Sequence, residues 1–324
     1  MQPMFARIKA LISRARWKML LILCVLLAGG WMGRLLSFHP FTARALISPP
    51  PIAPDGPPYT GFHGPQRVTI RGYAGDAMEP FVTGDGKWLL FNNSNDSSVN
   101  TDLQYAARMD GLTFAYRGEI TGVNTPALEG VPSMDQNGNL YFVSTRSYAE
   151  TSSTLYRGRF QNGKVSQVAL VPGISLRRPG IVNFDAEISA DGNTLCVVDG
   201  DFSTIPRPSA ARIVIAARIG TGFRRDPRSA AILRNVNTNG LVYAPSLSAD
   251  GLELFFTRVP SLTAGVTPTI YRATRGGLDT PFGIPQQVAA ITGFAEGPTL
   301  EAGGRALYYH KREKGRFVLY RVTR

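Results

Sequence analysis

Cysteine is nearly absent from this 324-residue chain: Cys24 sits in an apolar N-terminal run and Cys196 stands alone in a strand-like segment. The two are too far apart for a disulfide to be expected, so stability has to come from a core. Histidine is scarce too. His39 and His63 belong to the first 65 residues, which leaves His310 alone in the remainder. One histidine excludes a His-rich metal cluster and argues against a Ser-His-Asp triad, and no Gly-x-Ser-x-Gly elbow is present. A Gly-rich phosphate loop is missing, as is any basic run interleaved with aromatics. The net charge of +12 is therefore no nucleic-acid signature. Residues 1–65 carry seven Lys/Arg and one acid, half of that charge, and the rest is spread over many turns. Charged residues make up only 18%, against 44% hydrophobic, so the chain can bury a full core. Its 34 Gly and 23 Pro favour many short strands over long helices.

The N-terminus reads as export machinery. Arg7, Lys9, Arg14, Arg16 and Lys18 precede an uncharged run over 19–33, and Leu35, Leu36 and Phe38 extend it past Arg34. Cations on one flank place residues 1–18 in the cytoplasm and the bulk of the chain outside. Residues 19–38 are expected to form a signal-anchor helix in the inner membrane, with Arg34 snorkelling to the far interface. A cleaved signal with Ala28-Gly-Gly30 near the cut is the alternative, giving a secreted or periplasmic product. Both readings put the folded domain in the periplasm. From 39 to 65 the chain has eight prolines. Proline lacks the amide a ladder needs and pre-sets an extended path, so a stiff linker without a core of its own is expected there.

The rest, 66–324, is an internal repeat. Five segments align: Glu79–Phe91, Val131–Val143, Asp185–Val197, Ala244–Phe256 and Gly297–Tyr309. Their shared glycines, Gly86, Gly138, Gly192, Gly251 and Gly304, are 52, 54, 59 and 53 residues apart. In four of the five a proline stands six residues before that glycine; Ala186 replaces it in the third. Asp-Gly or Asn-Gly supplies a tight turn between two strands, and the apolar triplet that follows is a buried strand. A third strand alternates apolar and polar residues: Leu103–Arg108, Leu155–Arg159, Ile213–Arg218, Ile270–Arg275 and Leu319–Arg324. Outer strands are expected at Phe114–Thr121, Val165–Val171, Ser229–Val236 and Pro285–Ile291. That is four for five hairpins, and Gln66–Ile70 supplies the fifth only if the ends of the chain meet. The expectation is an all-β fold: a five-bladed β-propeller closed by an N-terminal outer strand and preceded by one N-terminal transmembrane or signal helix.

Ala244-Pro-Ser-Leu-Ser-Ala-Asp-Gly251 and Phe184–Val197 resemble the WD-like repeats of TolB-type β-propellers, whose signature is an acid and Pro, then Ser-x-Asp-Gly, then an apolar strand. The resemblance covers 66–324 and implies the fold more than any function, because such blades serve scaffolds, peptidases and lyases alike. The TolB N-terminal α/β domain has no counterpart here, and five blades replace that protein's six. Nor does space remain after the last repeat for a peptidase domain.

Acids before the inner strands are the candidate ligand-binding residues: Glu79, Glu129, Asp185 and Glu296. Inner strands line a propeller's channel, so up to four carboxylates can meet at one mouth. They suit a cation or a sugar, or a glycosidase pair with carboxylates about 5–10 Å apart drawn from Glu79, Asp185 and Glu296. In TolB-like repeats, however, an acid before the proline implies hydrogen bonds that lock neighbouring blades. The reading adopted is a binding or scaffold module for an envelope protein or polysaccharide, with no nucleic acid, no cofactor and no catalytic or metal-ligating residue assigned. Its binding loops are Asn92–Asp102, Arg146–Ser153 and Asp199–Ala211. Asp96, Asp102, Asp199 and Asp201 are read as turn residues rather than calcium ligands, and His310 as a surface residue.

Overall fold

The repeat becomes a hairpin because its glycine takes φ between +69° and +78° in all five copies. The residues before it reinforce the turn. Thr83, Ser189 and Ser248 each donate a hydroxyl to the turn aspartate (Asp85, Asp191, Asp250) and accept the amide five residues on. Ser-x-Asp-Gly is thus a self-contained hydrogen-bonded loop that sets strand register before any tertiary contact forms.

The computed structural model describes residues 47–48, 51–96, 99–203, 208–260 and 266–324. Two strands, β1 (His63–Arg67) and β2 (Thr69–Arg71), precede the first repeat. The first blade continues with β3 (Met78–Val82), β4 (Trp88–Asn92), β5 (Leu103–Arg108) and β6 (Thr113–Glu119). The second is β7 (Glu129–Met134), β8 (Asn139–Ser144), β9 (Leu155–Gln161) and β10 (Lys164–Leu170), with the single turn α1 (Tyr148–Thr151) between β8 and β9. The third is β11 (Ile181–Ile188), β12 (Thr194–Asp201), β13 (Ala210–Ile219) and β14 (Gly222–Arg225), followed by α2 (Ser229–Ile232). The fourth is β15 (Leu241–Leu247), β16 (Glu253–Val259), β17 (Thr269–Thr274) and β18 (Gln286–Gln287). The fifth is β19 (Ala295–Leu300), β20 (Ala306–Glu313) and β21 (Arg316–Thr323).

β1 completes the fifth blade, pairing antiparallel with β21 through Gln66 opposite Arg321 and Arg67 opposite Tyr320. β2 then crosses to the first blade and adds a fifth strand parallel to β6. One short segment therefore sews the last sheet to the first. The core is divided the same way, into five apolar layers, each between successive blades. The layer holding Leu89 and Phe91 of the first blade with Tyr308 and Leu319 of the fifth closes the circle. The fold is an all-β, five-bladed propeller.

Three details correct the sequence reading. The closing strand starts at His63, and Gln66–Ile70 is not one strand: it spans the junction between β1 and β2. The chain just before it is no free spacer. Phe62 is buried among Phe255, Val288 and Leu307, Tyr59 bridges Val288, and Asp55 pairs with the fully buried Arg258 at 2.6 Å. Prolines 51, 54, 57 and 58 leave few free amides along this path, yet Gly56 and Tyr59 still donate to the fourth blade. Finally, Ser229–Val236 is not an outer strand. Ser229, Ile232, Leu233 and Val236 are the buried positions, a helical spacing that begins with α2, and the shorter β14 takes the outer place. The expected signal-anchor over 19–38 lies outside the described residues; among the described residues no helix is long and apolar enough to cross a membrane.

A recurrent arginine locks the blades. Arg108, Arg218, Arg275 and Arg324 lie within one residue of the end of the third strand, and each donates Nε to the carbonyl of its own turn glycine at 2.5–2.9 Å. Three of them also reach the preceding blade: Arg108 to Tyr308 and Glu301, Arg218 to Tyr141, Arg324 to Glu253. Charge-assisted bonds at these seams add direction to otherwise non-directional packing.

Candidate functional site

Each inner strand slips register at one place, between Met78 and Phe81, Gly130 and Ser133, Asn183 and Asp185, Tyr243 and Ser246, and Glu296 and Thr299. The residue seven before the turn glycine lies in or beside this bulge. Glu79, Val131, Ala244 and Gly297 there have φ of 47°, 55°, 48° and 63°, and each precedes proline. Left-handed backbone is costly for a residue with a Cβ, so something must hold it. What holds it is the neighbouring blade. The bulge amides of Val131, Gly297 and Glu79 donate to Asn92 Oδ1, Thr257 Oγ1 and His310 Nδ1, each at 3.2 Å. Those acceptors occupy one repeat position, directly after the apolar triplet of the second strand. In the third blade that position is Val198, which cannot accept, and the Ala244 amide donates to Asp185 Oδ2 at 2.9 Å instead.

Of the four predicted acids, Glu79 and Asp185 share this level and face the axial channel with Glu187, between Pro80, Pro132, Pro245 and Pro298. The channel offers about 20 Å³, room for about one water molecule. Glu79 Oε1 accepts from Asn95 at 2.9 Å. Its other oxygen lies against Gly297, where a Cβ would come within 2.5 Å. Burial raises the Glu79 carboxyl above its ordinary range, the nearby His310 opposes this and Glu296 adds to it. Asp185 is raised well above the usual value, first by burial and then by Glu79.

Glu296 joins from one residue earlier in register. Tyr243 donates its hydroxyl to Oε1, and Oε2 lies 3.2 Å from His310 Nε2. His310 is fully buried, which corrects its expected surface placement: its ring is the bridge between the first and fifth blades. Burial opposes a charge on this ring, the Glu79 and Glu296 carboxylates favour one, and the balance moves its pKa upward. The amide on Nδ1 argues the other way, because a second ring proton would displace it. The hydrogen-bond geometry therefore favours the neutral form protonated at Nε2.

Glu129 does not join the group. It sits two residues earlier, buried, accepting from the Thr125 amide and hydroxyl, from Ser144 and from Arg146 at 2.6–3.2 Å. Burial raises its carboxyl and these donors oppose the rise. Asp199 and Asp201 are not turn residues but lie in β12, Asp199 in a two-pronged pair with Arg225 and Asp201 accepting from Ile47 and Ser203, while Asp102 accepts from Asn100. Among the described residues no group of three or more His, Cys, Asp or Glu side chains is arranged to hold a metal ion. Sequence reading missed His310, Tyr243, Asn92, Thr257 and Glu187. The available signal was positional: three polar residues at one repeat position, each directly after a buried apolar triplet.

No protein-family model matches this chain, and no curated protein does. Solved structures are similar in fold. A family 117 glycoside hydrolase from Zobellia galactanivorans superimposes with a TM-score of 0.52 at 11% identity, covering 81% of this chain and 90% of that one. The catalytic domain of the Coprinopsis cinerea GH62 α-L-arabinofuranosidase does so at 0.52 and 12%, covering 81% and 96%. TolB from Acinetobacter baumannii is similar at 17% identity with a TM-score of 0.45, covering 76% of this chain. This chain spans 55% of that protein, and 62% of a putative TolB from Agrobacterium tumefaciens. At such identities the likeness to the two glycoside hydrolases is one of fold alone.

Proposed function

We propose that the ring is a recognition module of the cell envelope, tethered to the inner membrane through residues 19–38 and binding a protein or polysaccharide with its loops. The observation that carries this reading is the fit of the axial channel. A space of about 20 Å³ is far below the several hundred Å³ of small-molecule sites, so a sugar ring has no entry between Glu79 and Asp185. The acids are occupied besides. Asp185 holds the Ala244 bulge, Glu79 takes Asn95, Glu296 takes Tyr243 and His310, and Glu129 takes four donors. Groups so engaged fix blade geometry and are poorly placed to move protons on a substrate. Loops after the second strands emerge on the same face as the inner-strand starts, and rigid blades hold them while leaving their sequence free to vary.

The competing reading is a carbohydrate-active hydrolase using Glu79, Asp185 and Glu296, which the glycoside hydrolase neighbours keep in view. One experiment separates the two. The full chain and its Glu79→Gln variant are assayed against aryl glycosides and envelope polysaccharides, alongside crosslinking in intact cells. The recognition reading expects no turnover and a crosslinked partner that is lost when Arg146–Ser153 is replaced by Gly-Ser repeats. Turnover that Glu79→Gln abolishes in a folded protein would replace it with the hydrolase.

A further inference from the structure

A depression of about 560 Å³ opens at the outer edge of the third blade. Its origin is the short outer strand. β14 pairs only with Ala216–Ile219 of β13, after which the chain turns into α2. The other half of β13 is closed by side chains: the Asn237 amide brackets Ile213 with two bonds of 2.9 Å, and Ser229 Oγ accepts the Ile215 amide at 2.8 Å. Side-chain caps satisfy the backbone but do not fill the volume of a strand. The apolar surface of the depression comes from the exposed Pro51, Leu176, Pro227 and Ala230 on its lining.

Charge on the walls is one-sided. Asp199 is committed to Arg225 at 2.7 and 2.8 Å, and Asp226 to Arg228 at 2.9 Å. Arg225 is fixed in return, with Nε on the Ile174 carbonyl at 2.8 Å. Arg212 and Arg234 also line the space; both are exposed, and neither has an ion pair among the described residues. The volume lies within the range of small-ligand sites, and a guanidinium suits carboxylate, sulfonate or phosphate oxygens.

We propose that this cavity binds a small amphipathic anion, with its apolar body against Leu176, Pro227 and Ala230 and its acidic head between Arg212 and Arg234. The cavity adjoins the Asp199–Ala211 segment, whose Asp199, Ala210 and Ala211 line it, but its test does not depend on the recognition reading. The test is calorimetric titration of the full chain with naphthalene-1-sulfonate and with the uncharged naphthalene-1-sulfonamide. The expected result is one site, with the sulfonamide and the Arg212→Gln/Arg234→Gln protein each weaker by at least about tenfold. Ala230→Trp, which fills the cavity from the exposed side of α2, should abolish binding. Equal affinity for the two probes, binding unchanged by the arginine pair, or no heat at millimolar sulfonate would overturn the proposal. The arginine variant replaces only exposed side chains, so the outcome stands even where Ala230→Trp fails to fold.

Discussion

The channel should make this protein less stable as pH rises from acid to mildly alkaline conditions, and Glu187 should account for a measurable share of that loss. Glu187 lines the channel below Asp185, accepts the Ser133 hydroxyl at 2.8 Å, and has its carboxyl pushed up to about 8 by burial. An unfolded chain releases this proton near the ordinary glutamate pKa, whereas the folded chain keeps it until about pH 8. Between those values the folded state binds the extra proton, so stability is greatest at the acid end and falls as pH rises across the window. A shift from 4.5 to about 8 corresponds to an upper bound of about 5 kcal/mol at ~1.4 kcal/mol per unit. The residue is only half-buried, which screens the effect, and the expected share is about 2 kcal/mol. Glu187→Gln keeps the neutral shape and removes the titration. Urea unfolding of both proteins at pH 5 and pH 8.5 should show the variant gaining about 2 kcal/mol on the parent between the two conditions. Glu79 and Asp185 are raised in the same direction and tilt both profiles, and because the Glu187 charge contributes to the rise at Asp185, the difference reports Glu187 together with that coupling. Parallel profiles would refute the buried-proton argument.

Two further substitutions probe the seams. Gly297→Ala should cost about 3 kcal/mol in denaturant unfolding. That sums ~1–2 kcal/mol for a left-handed alanine and the displacement of the Glu79 carboxylate 2.5 Å from the new methyl. Ala244 already tolerates φ of 48° at the matching position, so Glu79→Ala should recover part of the steric cost in a double-mutant cycle, with His310 Nδ1 at 2.9 Å from the new methyl keeping the rest, and no coupling would locate the cost elsewhere. Asp55→Ala should cost about 3 kcal/mol, because Arg258 is fully buried and would lose its counter-charge. A melting temperature unchanged by that substitution would show that residues 51–62 merely lie on the fourth blade.

The blades were legible in the sequence because their information is local. Asp-Gly turns, the preceding Ser or Thr and the apolar triplets all act within a dozen residues, and strand counting required the two ends to meet. What escaped reading depends on partners far along the chain. Ser229–Val236 has an apolar pattern that suits a strand or a helix, and only the space beside β13 selects the helix. Tyr59 and Phe62 look like linker residues until Phe255 and Leu307 supply the other half of their layer. The acids were found, but their offsets of seven, eight and nine residues before the turn glycine decide their fates. Seven faces the axis, eight meets His310, and nine turns into the second-blade loop.

The third blade explains why carboxylates sit in this channel at all. Elsewhere a left-handed residue before proline donates its amide to a polar side chain of the preceding blade: Asn92, Thr257 or His310. Between the third and fourth blades the usual acceptor position holds Val198, and the third inner strand lacks its proline, so its bulge falls earlier, at Asn183–Asp185. Asp185 then supplies the missing acceptor for Ala244. Glu79, at the matching position on the first inner strand, is buried against Gly297, the one copy of that position without a Cβ. Each acid thus answers a local deficit, an acceptor lost in one blade and a side chain lost in another. Nothing in that logic requires a substrate, and the pH dependence of stability is the property it leaves behind.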